Sequence, residues 1–128
     1  MKKRLSLILL FLVSMLGVQA AVTEFNDALT QSVSKPALIL VYAEWADNYQ
    51  TSLSEFRNVQ QTLGNGYNYV ELDIAKPDAK FFNQRYTIMP NLPYVLMIRA
   101  NGRITYFADK NCASSSACVI SKAKDFVR

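Results

Sequence analysis

The sequence has no histidine, only two cysteines and a single tryptophan in 128 residues. Without an imidazole there can be no Ser-His-Asp or Cys-His nucleophile system, no His-ligated haem and no zinc site of the usual Cys/His kind. Any catalysis would have to rest on thiols, carboxylates or amines. No repeat, low-complexity tract or linker divides the chain. A chain of this length forms one domain and buries roughly two thirds of its unfolded surface without help from metals or a disulfide lattice. No metal and no cofactor is expected.

The N-terminus is read separately. Lys2, Lys3 and Arg4 precede an apolar run from Leu5 to Val18, broken only by Ser6, Ser14 and Gly17, and Val18-Gln19-Ala20 fits a small-residue cleavage site. Residues 1–20 therefore read as a secretory signal and residues 21–128 as the domain. The alternative is an uncleaved anchor, but a membrane-spanning helix needs roughly 20 apolar residues and this run is shorter. The expected destination lies across the inner membrane, in a bacterial periplasm, with no stable membrane insertion after cleavage.

Cleavage would also remove most of the excess positive charge. The 14 Lys and Arg fall to 11, against ten Asp and Glu, leaving a net charge of +1. No Lys/Arg cluster remains to displace counterions, so nucleic acid is not an expected partner.

Helical and extended patterns alternate along residues 21–128. Phe25, Leu29 and Val33 recur every four residues after Thr23, so a helix capped by Thr23 is expected over Thr23–Ser34. The run Ala37-Leu-Ile-Leu-Val-Tyr-Ala43 is apolar throughout, as in a strand buried on both faces. Tyr49, Leu53, Phe56 and Leu63 return to helical spacing, with Asp47 and Asn48 placed to cap and Gly64-Asn65-Gly66 supplying left-handed residues at the end. A strand at 67–73, a short helix at 78–86 and a strand at 93–99 follow. Asn101-Gly102 then signals a two-residue hairpin into Arg103–Ala108, and a Ser-rich loop leads to a terminal helix. Strands joined through helices are expected to run parallel, with the hairpin adding an antiparallel edge. The fold class is α/β, a central mixed sheet of four to five strands flanked by helices on both faces.

Two stretches resemble a known family. Leu38-Ile-Leu-Val-Tyr-Ala-Glu-Trp45 is similar to the thioredoxin strand that ends in Ala-Glu-Trp immediately before a Cys-x-x-Cys pair. Tyr86-Thr-Ile-Met-Pro-Asn-Leu-Pro93, followed by an apolar strand and Asn101-Gly102, resembles that family's cis-proline loop and final hairpin. The resemblance covers residues 23–128 and implies a thioredoxin-like fold. It also exposes what is missing. In place of the two cysteines stand Ala46-Asp47-Asn48-Tyr49, and the family's buried acid falls on Leu40. A carboxylate buried beneath an absent thiol would cost several kcal/mol with no return, so its loss agrees with the loss of sulfur.

By the same resemblance, the residue before the cis-proline offers its backbone to an extended peptide, which places Leu92 and Pro93 in a groove with Trp45, Tyr49 and Tyr94. The implied activity is binding of a protein or extended peptide, as a chaperone or assembly module without Cys-x-x-Cys redox chemistry. The leading edge strand of the family is almost absent if the domain starts at Ala21. The plainer alternatives are that Trp45 and Tyr49 only cover the end of the sheet, or that the chain has a purely structural place in a larger assembly.

Cys112 and Cys118 lie six apart in Asn111-Cys-Ala-Ser-Ser-Ser-Ala-Cys118. In an exported chain an even count implies a disulfide. Six residues of unbroken helix would span roughly 9 Å, beyond bridging range, so the segment must loop back, with Ser114–Ser116 suited to the loop and to capping the next helix. The pair is either a structural staple or a displaced redox couple. Lys110 and a helix N-terminus at Cys118 would favour a thiolate, which leaves a thiol-disulfide oxidoreductase or redox sensor as the alternative function. The carboxylate pairs Glu44/Asp47 and Glu71/Asp73 lack a third group and read as solvated or capping residues.

Overall fold

A computed structural model describes residues 22–46 and 48–128. The expected signal segment and Asp47 lie outside the described residues. Ten elements follow one another: α1 (Phe25–Gln31), β1 (Ala37–Tyr42), α2 (Tyr49–Leu63), a 3-10 turn (Gly64–Gly66), β2 (Asn68–Asp73), α3 (Asp78–Arg85), β3 (Tyr94–Arg99), β4 (Ile104–Ala108), α4 (Lys110–Ala113) and α5 (Ser116–Phe126). The strands form one mixed sheet in the order β2-β1-β3-β4.

The apolar run becomes the central strand because both its faces are covered. Successive strand residues point to opposite sides. Ala37, Ile39 and Val41 join Phe25 and Ala28 of α1 and Ala79 and Phe82 of α3 in one cluster. Leu38 and Leu40 join Phe56 and Val59 of α2, with Ala113, Val119 and Ala123 of α4 and α5, in the other. Helices therefore flank the sheet on both faces, and both surfaces of β1 are core.

β1 pairs parallel with β2 through the α2 crossover, but antiparallel with β3. The expectation that all helix-joined strands run parallel fails at β3. After the eight-residue α3, the segment 86–93 brings the chain back to the end of the sheet where β1 finishes, so that Tyr94 starts opposite Val41. The Leu92–Pro93 peptide bond in this segment is cis. No leading strand is formed among the described residues; Val22 makes one isolated parallel bridge to Tyr69.

Local chemistry differs from the expected caps. Thr23 does not cap α1, because its amide is bonded to the carbonyl of Tyr69 at 2.7 Å and the helix starts two residues later. The amide of Phe25 instead donates to Asp78 Oδ2 at 3.0 Å, a carboxylate 53 residues away at the start of α3. Asn48 stands at the N-cap of α2 in a left-handed conformation, and its side chain makes no capping bond. Gly64 ends α2 at φ 67°, whereas Asn65 and Gly66 are not left-handed.

The β3–β4 connection is a four-residue loop, since Arg99 pairs with Ile104. Ala100, Asn101 and Gly102 all have positive φ. The longer loop lets the carbonyls of Asn101 and Gly102 reach Arg85 Nη2 and the Tyr86 hydroxyl, which donate to them at 2.9 and 2.8 Å.

Candidate functional site

The loop after β1 and the 86–93 segment converge at one end of the sheet. Ala43, Ala46, Leu92 and Tyr94 belong to a single buried cluster, with Ile88 packed against it. Ala46, at the first of the two positions where the resemblance implies a thiol, is 7 % exposed and ends a turn closed by its amide on the Ala43 carbonyl at 3.0 Å. Tyr49, at the second, opens α2 and lies flat on Tyr42, ring centroids 6.0 Å apart and planes within 4°. Leu40, at the position of the implied acid, is fully buried in the cluster that contains Phe56. Burial raises the Tyr42 phenol above its ordinary value, and the nearby carboxylates of Asp73, Glu71 and Glu44 raise it further. Nothing at these positions can form a thiolate.

The five expected binding residues divide by exposure. Trp45 is 73 % exposed and Tyr49 half-buried. Leu92 is 4 % and Tyr94 1 % exposed, and Pro93 is buried, so these three can offer a partner little beyond backbone. The Leu92 amide already donates to the Pro90 carbonyl at 3.1 Å, and the Tyr94 hydroxyl accepts from the Met89 amide at 3.2 Å. Met89, which the sequence reading did not single out, is exposed on the same segment. Its neighbours Pro90 and Asn91 are exposed too, a sign that the segment's tip faces solvent. Tyr42 was also missed. Strand parity carried the signal, since Tyr42 shares the face of Leu38 and Leu40 under α2.

The Glu71/Asp73 carboxylates are engaged in structural bonds, whereas Asp47 of the other pair lies outside the described residues. Glu71 accepts two bonds from Arg57, at 2.9 and 3.1 Å, and one from Gln60 at 3.1 Å, which holds the Arg57 guanidinium above its usual range. Asp73 Oδ1 accepts from the Ala75 amide at 2.9 Å. Among the described residues no three Cys, Asp or Glu come together as a metal-ligand set, and no helix is long and apolar enough to cross a membrane.

The two cysteines form a disulfide, with Cα atoms 5.3 Å apart. The chain loops back as the spacing demands, but through a helix break. Cys112 lies in α4, capped by Asp109 Oδ1, which accepts the Cys112 amide at 3.0 Å. Ser115 caps α5 by accepting the Cys118 amide at 3.2 Å, and Glu55 of α2 accepts the Ser116 amide at 2.8 Å. Cys118 is thus the third residue of α5. Both cysteines line an open cleft of about 520 Å³ shared with Tyr106, Phe107, Asp109 and Lys122. Lys110, on α4, does not line it.

With this geometry in view, the chain has a thioredoxin-like fold. It is similar to thioredoxin f from spinach chloroplast, with a TM-score of 0.65 and 11 % identity over 87 % of this chain and 97 % of that one. It is also similar to Fasciola hepatica thioredoxin, with a TM-score of 0.62 and 6 % identity over 80 % of this chain and 90 % of that one. For the Schistosoma mansoni thioredoxin pre-protein the TM-score is 0.61 and the identity 18 %, over 84 % and 93 % of the two chains. No family model and no curated protein matches the sequence. At these identities the likeness is one of fold.

Proposed function

We propose that this chain is an exported thioredoxin-like module that recognises a protein or extended peptide, as a chaperone or assembly factor, and does not exchange disulfides at the position usual for the fold. The observation that carries this reading is the pairing of an exposed Trp45 with the thiol-free Ala46 and Tyr49 beside it. Trp45 and Met89 are both exposed, and an exposed indole is the kind of amphipathic side chain that anchors a partner. The peptide-binding edge in this reading is narrower than the resemblance implies, because the Leu92 amide is bonded within the chain. Side-chain contacts to Trp45, Met89 and Tyr49 therefore carry more of the recognition than strand-like hydrogen bonds.

Crosslinking in cells from a photoreactive residue at Tyr49, followed by pull-down with Trp45→Ala, tests this. Captured partners that are lost with Trp45→Ala are the expected result. Partners that bind the variant equally well, or turnover of insulin by the purified protein, would remove the groove from consideration. Export is tested by fractionation and by the N-terminus of the protein recovered from cells, expected at Ala21.

The alternative reading uses Cys112 and Cys118. What favours it is their place in an open cleft, with Cys118 in the first turn of α5, where the helix dipole stabilises a thiolate. The step would be exchange with a substrate dithiol, which leaves as a disulfide while both cysteines become thiols. A redox titration separates the readings. A potential near or below about −300 mV marks a staple, and a clearly less negative one marks an exchanging pair.

A further inference from the structure

The outer side of β4 has no partner strand among the described residues. Edge strands in natural sheets are blunted by charge, proline, bulges or a covering element. β4 has none of the first three. Its sequence Ile104-Thr-Tyr-Phe-Ala108 carries no charge and no proline, and its pairing with β3 runs without a bulge. Four of its five residues are exposed, including Ile104, Tyr106 and Phe107. Both aromatic rings are held in place, Phe107 against Tyr94 with centroids 4.9 Å apart and Tyr106 under the Lys122 ammonium at 5.9 Å. The cleft of about 520 Å³ lies beside the last part of the strand, between residues 106–109 and Cys112, Cys118 and Lys122 of the helices that follow.

The flanking charges decide what fits there. Arg103 precedes the strand and Asp109 follows it, both are exposed, and neither takes part in a salt bridge among the described residues. The strand therefore runs from a positive end to a negative end. Antiparallel pairing of two copies about a two-fold axis at Tyr106 sets Arg103 of each copy opposite Asp109 of the other. It also sets Ile104 opposite Ala108 and Thr105 opposite Phe107, with no charge against an apolar side chain. Parallel pairing would bring like charges together, and a slip of one residue would lose both ion pairs. Asp109 keeps its cap on α4 through Oδ1, which leaves Oδ2 for the partner.

We propose that the β4 edge is a self-association surface, through which two copies of this chain join their sheets into one continuous antiparallel sheet centred on Tyr106. An interface of a single short strand pair is smaller than a standard protein interface, so a weak, concentration-dependent dimer is expected. This surface is separate from the Trp45 groove, and its test does not depend on that reading.

Sedimentation equilibrium of the purified protein with its disulfide intact, up to millimolar concentration, tests the proposal. The expected result is a monomer–dimer equilibrium that weakens with salt. Arg103→Asp or Asp109→Arg alone should weaken it by roughly tenfold or more, because each puts like charges opposite each other twice. The double variant Arg103→Asp/Asp109→Arg should recover the wild-type constant to within about threefold. Circular dichroism of each variant separates lost association from lost folding, and recovery in the double variant cannot come from an unfolded chain. A monomer at every concentration would overturn the proposal and leave the edge to a foreign strand. So would a dimer that ignores the single swaps, or one the double swap fails to restore.

Discussion

Tyr49 stacks on Tyr42 with ring planes within 4° of each other, a phenol on a phenol at the point where the first strand hands over to the second helix. Tyr42 of the pair packs against the core cluster under α2, on the face of the sheet opposite the cluster that contains Ala46. Trp45, four residues before Tyr49, is by contrast left in solvent.

The two aromatics should separate cleanly under mutation. Tyr49→Ala removes the stack and is expected to cost about 1 kcal/mol, lowering Tm by several degrees. Trp45→Ala should change stability by less than about 0.5 kcal/mol, since its ring contributes little to packing. Urea denaturation of both variants measures the difference.

Asp78→Ala should destabilise the fold by about 1 kcal/mol, because it strands the Phe25 amide and removes a favourable charge from the first turn of α3. Thr23→Ala should cost much less, since Thr23 contributes its backbone and not its hydroxyl to the observed contacts. Equal losses from the two substitutions would refute the long-range cap.

Gly102→Ala is expected to cost about 1–3 kcal/mol. Gly102 has φ 82°, and an added methyl group would fall against the Tyr86 hydroxyl and Leu29. Thermal melts, with Gly66→Ala as the control at an open position of ordinary φ, check it.

Alkaline pH should unfold the protein cooperatively. Burial raises the phenols of Tyr42, Tyr67, Tyr69, Tyr86 and Tyr94 above the ordinary value of 10.0. A raised folded-state value means the folded chain holds these protons when the unfolded chain has released them. Stability is therefore full below about pH 10 and falls as pH rises above it. Absorbance titration at the phenolate band, followed in parallel with circular dichroism, should show these five ionising together with unfolding.

Removing the disulfide by Cys112→Ser/Cys118→Ser should cost about 2 kcal/mol in the chain-entropy model for so small a loop. Chemical denaturation of the variant, compared with the oxidised wild type, measures it. The two helix caps at Asp109 and Ser115 remain in place, so far-ultraviolet circular dichroism should be unchanged.

Much of the architecture was legible because periodicity is a local property. The apolar run of β1, the spacing of Tyr49, Phe56 and Leu63 in α2, and the need for the chain to reverse between Cys112 and Cys118 each follow from a few neighbouring residues. What sequence did not reveal was set by distant partners. The start of α1 depends on a carboxylate in α3, the β3–β4 loop on Arg85 and Tyr86, and the direction of β3 on where the 86–93 segment returns. The same holds at the site: Leu92 and Tyr94 share a buried cluster with Ala46, and that cluster, not the local sequence, decides that their side chains face inward. The missing sulfur at positions 46 and 49 was visible at once, because it is a matter of residue identity alone.

The bond from Phe25 to Asp78 also has a temporal side. While the ribosome has made fewer than 78 residues, the opening amide of the first helix lacks this acceptor, and a helix of seven residues gains too little on its own to persist. The first helix thus depends on the third being in place, which ties the two helices on that face of the sheet into one cooperative unit.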